Sequence, residues 1–157
     1  MQGTLYELVT GYAEATGCAC TVEQGSCHAV LCVEDAEIQI GLLETSGMLI
    51  CQTAVAVLPG EDAGREAFCM ELLGANNLFA GTMGFTLGLD AGQDLVTLQL
   101  AWDIYHLDAE GFACIIHNLL AVTADWMVRL NDWRPALSSP EGAPSSAGAF
   151  LFNSLKV

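Results

Sequence analysis

Apolar residues recur at helical spacing in three stretches of the chain and at alternating spacing in the segments between them. In the first stretch, Thr4 and Glu7 have the spacing of a capping box, and apolar positions then follow every three or four residues as far as Gly17. Glycine is common just past the end of a helix because it adopts left-handed backbone angles without strain. The pattern therefore predicts a first helix between Thr4 and Gly17.

Three segments of strand character follow a connector at residues 18–26 that is rich in cysteine and glycine. They are residues 27–33, 38–43 and 48–58. Short joints containing Asp, Glu, Ser and Gly separate them, which predicts an antiparallel meander. The third segment is apolar on both faces, and a strand of that kind belongs in the middle of a sheet.

A second helix is predicted after Pro59-Gly60. The acidic pair Glu61-Asp62 stands where the first turn of a helix favours negative charge, and the helix is expected to run to about Asn76. It carries more apolar residues than one core-facing stripe requires. The surplus indicates a protein interface on this helix.

A hairpin and a long helix complete the pattern. Residues 84–89 and 94–102 flank a turn, Asp108 supplies an N-cap, and the apolar face of the last helix continues to Leu130. Residues 132–157 are predicted to form a flexible tail, rich in Ser, Pro, Ala and Gly, with an apolar cluster at Phe150-Leu151-Phe152. The predicted fold is α+β over residues 1–131: helix, three-stranded antiparallel meander, helix, two-stranded hairpin, helix.

Length and charge narrow the classes of function. A chain of 157 residues has the size of one domain, and no apolar run approaches the roughly 20 residues that cross a bilayer. No basic and apolar leader marks it for export, so a cytoplasmic location is expected. The net charge of -15 repels phosphate backbones and anionic lipids. The sequence therefore predicts a protein that binds neither nucleic acid nor membranes.

Seven cysteines are present, an odd number for a chain without an export signal. They are predicted to be reduced thiols that pack as small hydrophobic side chains. Cys18, Cys20, Cys27 and His28 form the one cluster that resembles a metal site, but a single residue separates the first two, unlike the Cys-x-x-Cys pairs of zinc knuckles. Neither a metal nor a cofactor is predicted.

Catalytic patterns are missing from the sequence. The histidines lie on unrelated elements, no serine or cysteine stands in a nucleophile elbow, and no glycine-rich loop joins a strand to a helix. Apolar surfaces and sheet edges are the features that remain, and they are what peptide-binding proteins use. The sequence predicts a binding protein and no enzyme.

Four short segments carry a family resemblance. The second helix ends in LLGANNLF at residues 72–79, the next strand reads GFTLGLD at residues 84–90, and Leu98-Gln99-Leu100 and Leu107-Asp108 follow. These segments resemble the Tir chaperone family of class I type III secretion chaperones, in which a Leu, Asn, Leu helix end precedes a Leu, Gly, Leu strand. The resemblance covers about residues 4–131.

The resemblance implies a homodimer without catalytic activity that binds the N-terminal region of a secreted effector and keeps it extended for export. Carried over by position, the effector-binding surface would lie near seven apolar residues: Leu5, Leu8, Val9, Val33, Ile38, Ile40 and Leu42. The dimer interface would be supplied by the second helix and by the strand that ends at Trp102, through Phe68, Leu72, Leu73 and Trp102.

Two other classes of protein fit the same pattern. One is a YbjN-like regulatory or sensory domain that binds a protein partner, and the other is a thiol or metal protein built on Cys18, Cys20 and Cys27. The family usually ends soon after its last helix, so residues 132–157 are a departure from it. We expect the apolar cluster at Phe150-Leu151-Phe152 to fold back over an apolar groove.

Overall fold

The computed structural model describes residues 4–60 and 64–133. The predicted helix start at Glu61-Asp62 and the apolar cluster of the tail lie outside these residues. The helices are α1 (Leu5–Thr16), α2 (Arg65–Asn76) and α3 (Ala109–Asn131). The strands are β1 (Ala19–Val22), β2 (His28–Val33), β3 (Ala36–Leu43), β4 (Met48–Val57), β5 (Thr86–Asp90) and β6 (Leu95–Asp103). The α+β class and the order of the predicted elements are confirmed.

All six strands belong to one antiparallel sheet with the order β1-β2-β3-β4-β6-β5. The predicted meander and hairpin are joined because β6 pairs with β4, so that Cys51 on β4 lies between Ile40 on β3 and Leu100 on β6. The strand that is apolar on both faces is central, as predicted. It buries Leu49, Cys51 and Val55 on one side.

The prediction of a plain connector at residues 18–26 is wrong for part of its length. Residues 19–22 form β1, which pairs with β2 in the register Ala19 to Cys32 and Val22 to Ala29. A four-residue strand has too few positions to show an alternating pattern. Its pairing with β2 determines the structure, and this strand becomes one edge of the sheet.

The three helices cover one face of the sheet. α1 packs on β1 and β2, α3 on β4 and β6, and α2 lies beside β5. The core between them contains Val9 from α1, Ile38 and Leu98 from the sheet, and Phe112 and Ile116 from α3, all of them fully buried. Burial of apolar side chains against the sheet is the main term that stabilises such a layered domain.

Two predicted helix caps are present in the structure. At α1, the main-chain N–H of Glu7 donates to Thr4 Oγ1 at 3.2 Å and the main-chain N–H of Thr4 donates to Glu7 Oε2 at 2.9 Å. At α3, the N–H of Gly111 donates to Asp108 Oδ1 at 2.8 Å. α3 is long and apolar enough to cross a membrane by length and composition alone. One of its faces, however, is packed in the core of this domain, as the burial of Leu119 shows.

Candidate protein-binding surfaces

The β5 edge of the sheet is closed at Leu87, near the start of the strand, by a side chain. Asn76, the last residue of α2, donates from Nδ2 to the carbonyl oxygen of Leu87 at 2.9 Å, and its Oδ1 accepts the N–H of Leu87 at 2.8 Å. These two bonds occupy both main-chain groups that Leu87 would offer to a neighbouring strand. A partner strand therefore cannot pair at this point without displacing Asn76.

The β1 edge, at the opposite side of the sheet, is open. Within the described residues, β1 pairs only with β2, and no main-chain hydrogen bond joins its outer side to another segment. Residues 19–21 are exposed. An edge strand of this kind presents N–H and C=O groups that can template the addition of another strand.

The half of the domain around β1 is acidic. Residues 4–60 contain no Lys or Arg and seven acidic residues, which are Glu7, Glu14, Glu23, Glu34, Asp35, Glu37 and Glu44. Glu37 lies in the same cross-strand row as Ala19, because both are paired with Cys32. A basic segment would therefore be attracted to this half of the molecule, and the attraction would weaken as salt is added.

A second surface is an apolar ridge on α2 and the turn after it, defined by Met70, Leu73, Leu78 and Phe79. All four side chains are more than half exposed, Leu78 at 88%. Leu78 and Phe79 also have φ angles of 53° and 55°. Left-handed backbone angles are uncommon in bulky residues and tend to occur at functional sites. The backbone thus holds two large apolar side chains in solvent at a local conformational cost.

The turn that carries this ridge is fixed to α3. Trp126 Nε1–H donates to the carbonyl oxygen of Gly81 at 3.1 Å, and Arg129 pairs with Glu71 while its guanidinium lies 4.5 Å from the Trp126 ring centroid. A Cβ atom at Gly81 would lie 3.0 Å from the Cβ of Ala75, so glycine permits this close approach. The contacts with α3 therefore hold the segment that carries the ridge in place.

A groove of about 390 Å³ lies between α3 and the neighbouring ends of β5 and β6. Its lining is mainly apolar and includes Met83, Phe85, Leu100, Trp102, Leu107 and Ile115. Met83 is 79% exposed, and Trp102 is 45% exposed. Large apolar side chains with so much free surface, gathered in one concavity, are typical of a binding site.

An acidic hydrogen-bonded group borders the groove. Asp103 accepts the N–H of Tyr105 at 2.9 Å and faces Nδ1 of His106 at 3.0 Å, and His106 lines the groove. The hydrogen bond from the Tyr105 N–H holds the pKa of the Asp103 carboxyl below its ordinary value. Desolvation opposes this effect, and the contact with His106 adds to it. This carboxylate therefore keeps its negative charge beside the groove.

The structure separates the predicted site residues into buried and accessible ones. Of the predicted effector-binding residues, Leu5, Leu8, Val9, Ile38 and Ile40 are buried in the core, whereas Val33 and Leu42 are half-buried. These five side chains are core residues and cannot contact a partner directly, contrary to the prediction. The reason is that α1 packs its apolar stripe on β1, β2 and α3, while Ile38 and Ile40 point from β3 into the same core.

The predicted dimer residues divide in the same way. Phe68 and Leu72 are buried, and the Phe68 ring meets the Trp133 ring edge-to-face at 5.0 Å between centroids. These two side chains therefore belong to the core, and the prediction that they contact a second copy directly is wrong. Leu73 is exposed on the ridge, and Trp102 lies in the groove. The ridge residues Met70, Leu78 and Phe79 were missed, although the surplus of apolar positions on α2 signalled such a surface.

Trp133 also changes the extent of the folded domain. The predicted boundary between the domain and its tail lies at residue 131, but Trp133 packs on the core two residues later. A truncation that removed residues 132–157 would therefore disturb the core together with the tail.

The seven cysteines are free thiols, but the prediction that they pack as small hydrophobic side chains is wrong for most of them. Cys51 is buried, whereas Cys20, Cys32 and Cys114 are exposed and Cys18, Cys27 and Cys69 are half-buried. Among residues 4–60 and 64–133, no three His, Cys, Asp or Glu side chains are placed to share a metal ion. Burial raises the pKa of Cys51 to about 12. A hydrogen bond with Glu44 raises the pKa of the Cys27 thiol.

We expect these thiols to differ in reactivity, because the thiolate is the reactive form and needs access to the reagent. Iodoacetamide at pH 8 should label the exposed Cys20, Cys32 and Cys114 in the native protein, and Cys51 only after unfolding. Peptide mass spectrometry measures the labelling rates. Labelling of native Cys51 as fast as Cys20 would show that the β3 to β4 region opens readily.

The family comparison gives one match over most of the chain. The model of the Tir chaperone protein (CesT) family matches residues 7–127. No sequence among the curated proteins matches the chain.

Solved structures share the fold at low sequence identity. The ExsC-ExsE complex contains a chain with 18% identity and a TM-score of 0.67, with 82% of this chain and 94% of that chain covered. The type III secretion chaperone SycH of Yersinia pestis, solved with a fragment of YscM2, has 17% identity and a TM-score of 0.57, with 78% and 99% covered. YbjN of E. coli has 13% identity and a TM-score of 0.61, with 82% and 92% covered. The fold alone therefore does not separate chaperones from YbjN.

Proposed function

Because the chain belongs to the Tir chaperone protein (CesT) family, we propose that it binds the N-terminal region of a secreted effector and keeps that region extended for type III export. It acts in the bacterial cytoplasm, without catalysis and without a cofactor. The open edge of β1 is the structural observation that carries this proposal. An extended effector segment gains main-chain hydrogen bonds there, and while it is paired it cannot fold on itself.

The side chains beside β1 favour such a segment. Tyr12, Cys18 and Val22 are half-buried at the margin of the core, next to or on β1. Alternate side chains of an added strand would point towards α1, where apolar residues would extend this margin. The acidic residues around β1 favour Lys or Arg at other positions and accelerate the encounter at low salt.

Proline substitutions in β1 test the strand addition. Successive N–H groups of an antiparallel strand point to opposite edges, so one of Cys20→Pro and Thr21→Pro removes an outward N–H while the other removes a bond to β2. We expect the variant that keeps the wild-type denaturation midpoint to bind an effector N-terminal region at least tenfold more weakly, as measured by titration calorimetry, since about 1.4 kcal/mol corresponds to tenfold.

Gln24→Pro is the matched control for these variants. Gln24 is the second residue of a turn in which Ser26 N–H donates to the Glu23 carbonyl and Gly25 has φ 82°, a position that accepts proline. It should leave binding unchanged. Wild-type affinity in both β1 variants would rule out pairing at this edge. If no secretion substrate of the host co-purifies with the wild-type protein, the chaperone proposal fails and a YbjN-like regulatory role becomes the better one.

We also propose that two copies of the chain associate through the apolar ridge. Its four exposed apolar residues, two of them held at left-handed φ angles, need a cover in a protein that is otherwise strongly acidic. A dimer would carry two β1 edges, so that one long effector segment could engage both and gain avidity.

A charged substitution in the apolar ridge tests whether the ridge forms the dimer interface. Leu73→Asp would place one unpaired carboxylate in each half of a symmetric interface, and we expect the dimer to weaken by about 100-fold, or roughly 2.7 kcal/mol. Analytical ultracentrifugation measures the dissociation constant. Val128→Asp is the control, because Val128 is as exposed on α3 (66%) as Leu73 is on α2 (63%). Dissociation by Val128→Asp alone would move the interface to α3.

A further inference from the structure

We propose that the groove beside Trp102 is a binding site for the chain's own segment Phe150-Leu151-Phe152, which covers it in the free protein. The segment lies outside the described residues, and its part in the proposal comes from its composition and its distance along the chain. The groove supplies the complementary surface. The inference does not depend on effector binding.

The groove is suited to aromatic side chains. Leu100 and Trp102 come from β6, Leu107 and Ile115 come from the start of α3 and the turn before it, and Met83 overhangs from the loop before β5. Phenylalanine buries roughly 150–250 Å² when it is covered, and methionine sulfur makes favourable contacts with aromatic rings. Two Phe side chains next to Leu would cover the surfaces of Trp102 and Met83 that are now exposed.

The length of chain between the core and the segment matches the path to the groove. The ring of Trp133 is anchored on Phe68, so the tail leaves from the C-terminal end of α3. From Asn131 back to Ile115 is 16 helical residues, or about 24 Å at 1.5 Å per residue. Sixteen residues, 134–149, separate Trp133 from Phe150. A coil of this length has a root-mean-square span of roughly 20–24 Å. The segment therefore reaches the groove without being stretched.

Charge favours the same placement. In the described residues the two cations are both paired, Arg65 with Asp94 and Arg129 with Glu71. Residues 134–157 contain Arg134, Glu141 and Lys156, the last of them four residues after Phe152. The carboxylates of Asp103 and Asp108 bond to His106 and Gly111, which line the groove. A segment seated in the groove brings this lysine near two negative charges. Rim charges of this kind act mainly on register and rate.

Photo-crosslinking of the full-length protein tests the contact. We would place benzoylphenylalanine at position 150 and, as a control, at Ser145 in the linker, then irradiate and identify the crosslinked peptides by mass spectrometry. The expected result is a dominant crosslink from position 150 to the peptides that contain Met83 or Trp102, with no such preference from position 145. Crosslinks from position 150 that are spread as widely as those from position 145 would overturn the proposal.

Crosslinking a mixture of isotopically light and heavy protein distinguishes a contact within one chain from a contact between two copies. Crosslinks within one isotope support the self-contact, and mixed-isotope crosslinks would replace it with a contact between two chains.

Met83→Ser, at an exposed position, should lower the groove crosslink severalfold and leave folding intact. Replacing Phe150, Leu151 and Phe152 with serine should raise the fluorescence of a surface-hydrophobicity dye severalfold. Unchanged dye fluorescence in that variant would show that the segment covers nothing.

Discussion

Replacing Phe68 with alanine is expected to lower the free energy of unfolding by about 3–5 kcal/mol, the usual cost of deleting a buried aromatic ring. Phe68 is 2% exposed and packs edge-to-face against Trp133, with 5.0 Å between ring centroids. The substitution leaves a cavity between α2 and the end of α3. Single domains are stable by only about 5–15 kcal/mol, so the loss removes a large part of the total.

The measurement is urea denaturation in the Leu73→Asp background, because dimerisation makes apparent stability depend on protein concentration. Met70→Ala in the same background is the control for helix α2. Met70 is exposed, so its truncation should change stability by no more than about 0.5 kcal/mol. If Phe68→Ala keeps the unfolding midpoint there and weakens the dimer of the chain that retains Leu73, then Phe68 is an interface residue, as its sequence position suggested.

Replacing Asn76 with alanine is expected to lower the free energy of unfolding by about 2–4 kcal/mol. The substitution removes the partners of both the N–H and the carbonyl group of Leu87, and an unsatisfied buried polar group costs about 1–3 kcal/mol. Asn76→Asp keeps an acceptor for the N–H but turns a carboxylate towards the Leu87 carbonyl. It should therefore recover only part of the loss.

Thermal and urea denaturation measure this effect, with Asn77→Ala as the control at an exposed neighbouring position. Opening the β5 edge should also promote self-association of the Asn76 variants, visible by light scattering, because an unpaired edge strand recruits other strands. Equal stability of the Asn76 and Asn77 variants would show that these hydrogen bonds contribute little.

The Asn76 contact explains the family motif in physical terms. The Leu, Asn, Leu helix end and the Leu, Gly, Leu strand are separate in sequence, and Asn76 joins them by bonding to Leu87 in the middle of the second segment. The asparagine side-chain amide places an N–H donor beside a C=O acceptor, and here both bond to Leu87, so the side chain can stand in for a peptide group of a neighbouring strand. The motif therefore has a structural role, the closure of one edge of the sheet.

Several features of the fold could be predicted because they depend on local chemistry. The capping box of Thr4 and Glu7 and the cap at Asp108 each need only a few consecutive residues. The two-sided apolar pattern of β4 identified the central strand. The short β1 was missed, because four residues carry too little pattern and the pairing with β2 determines its conformation.

For the candidate site, the sequence determined that the chain is an acidic α+β domain with surplus apolar surface on its second helix. It did not determine which apolar residues are buried. Phe68 and Leu73 are both apolar residues of the same helix. Only the packing of α2 on β5 and of the Phe68 ring on Trp133 turns Phe68 inwards and leaves Leu73 exposed. Likewise, the sequences of the two edge strands, β1 and β5, do not show which edge is accessible. Only the tertiary structure places Asn76 against β5 and leaves β1 open. Helix caps and the periodicity of helices and strands depend on residues that are neighbours in the sequence. Burial and the exposure of sheet edges depend on contacts between residues far apart in the chain.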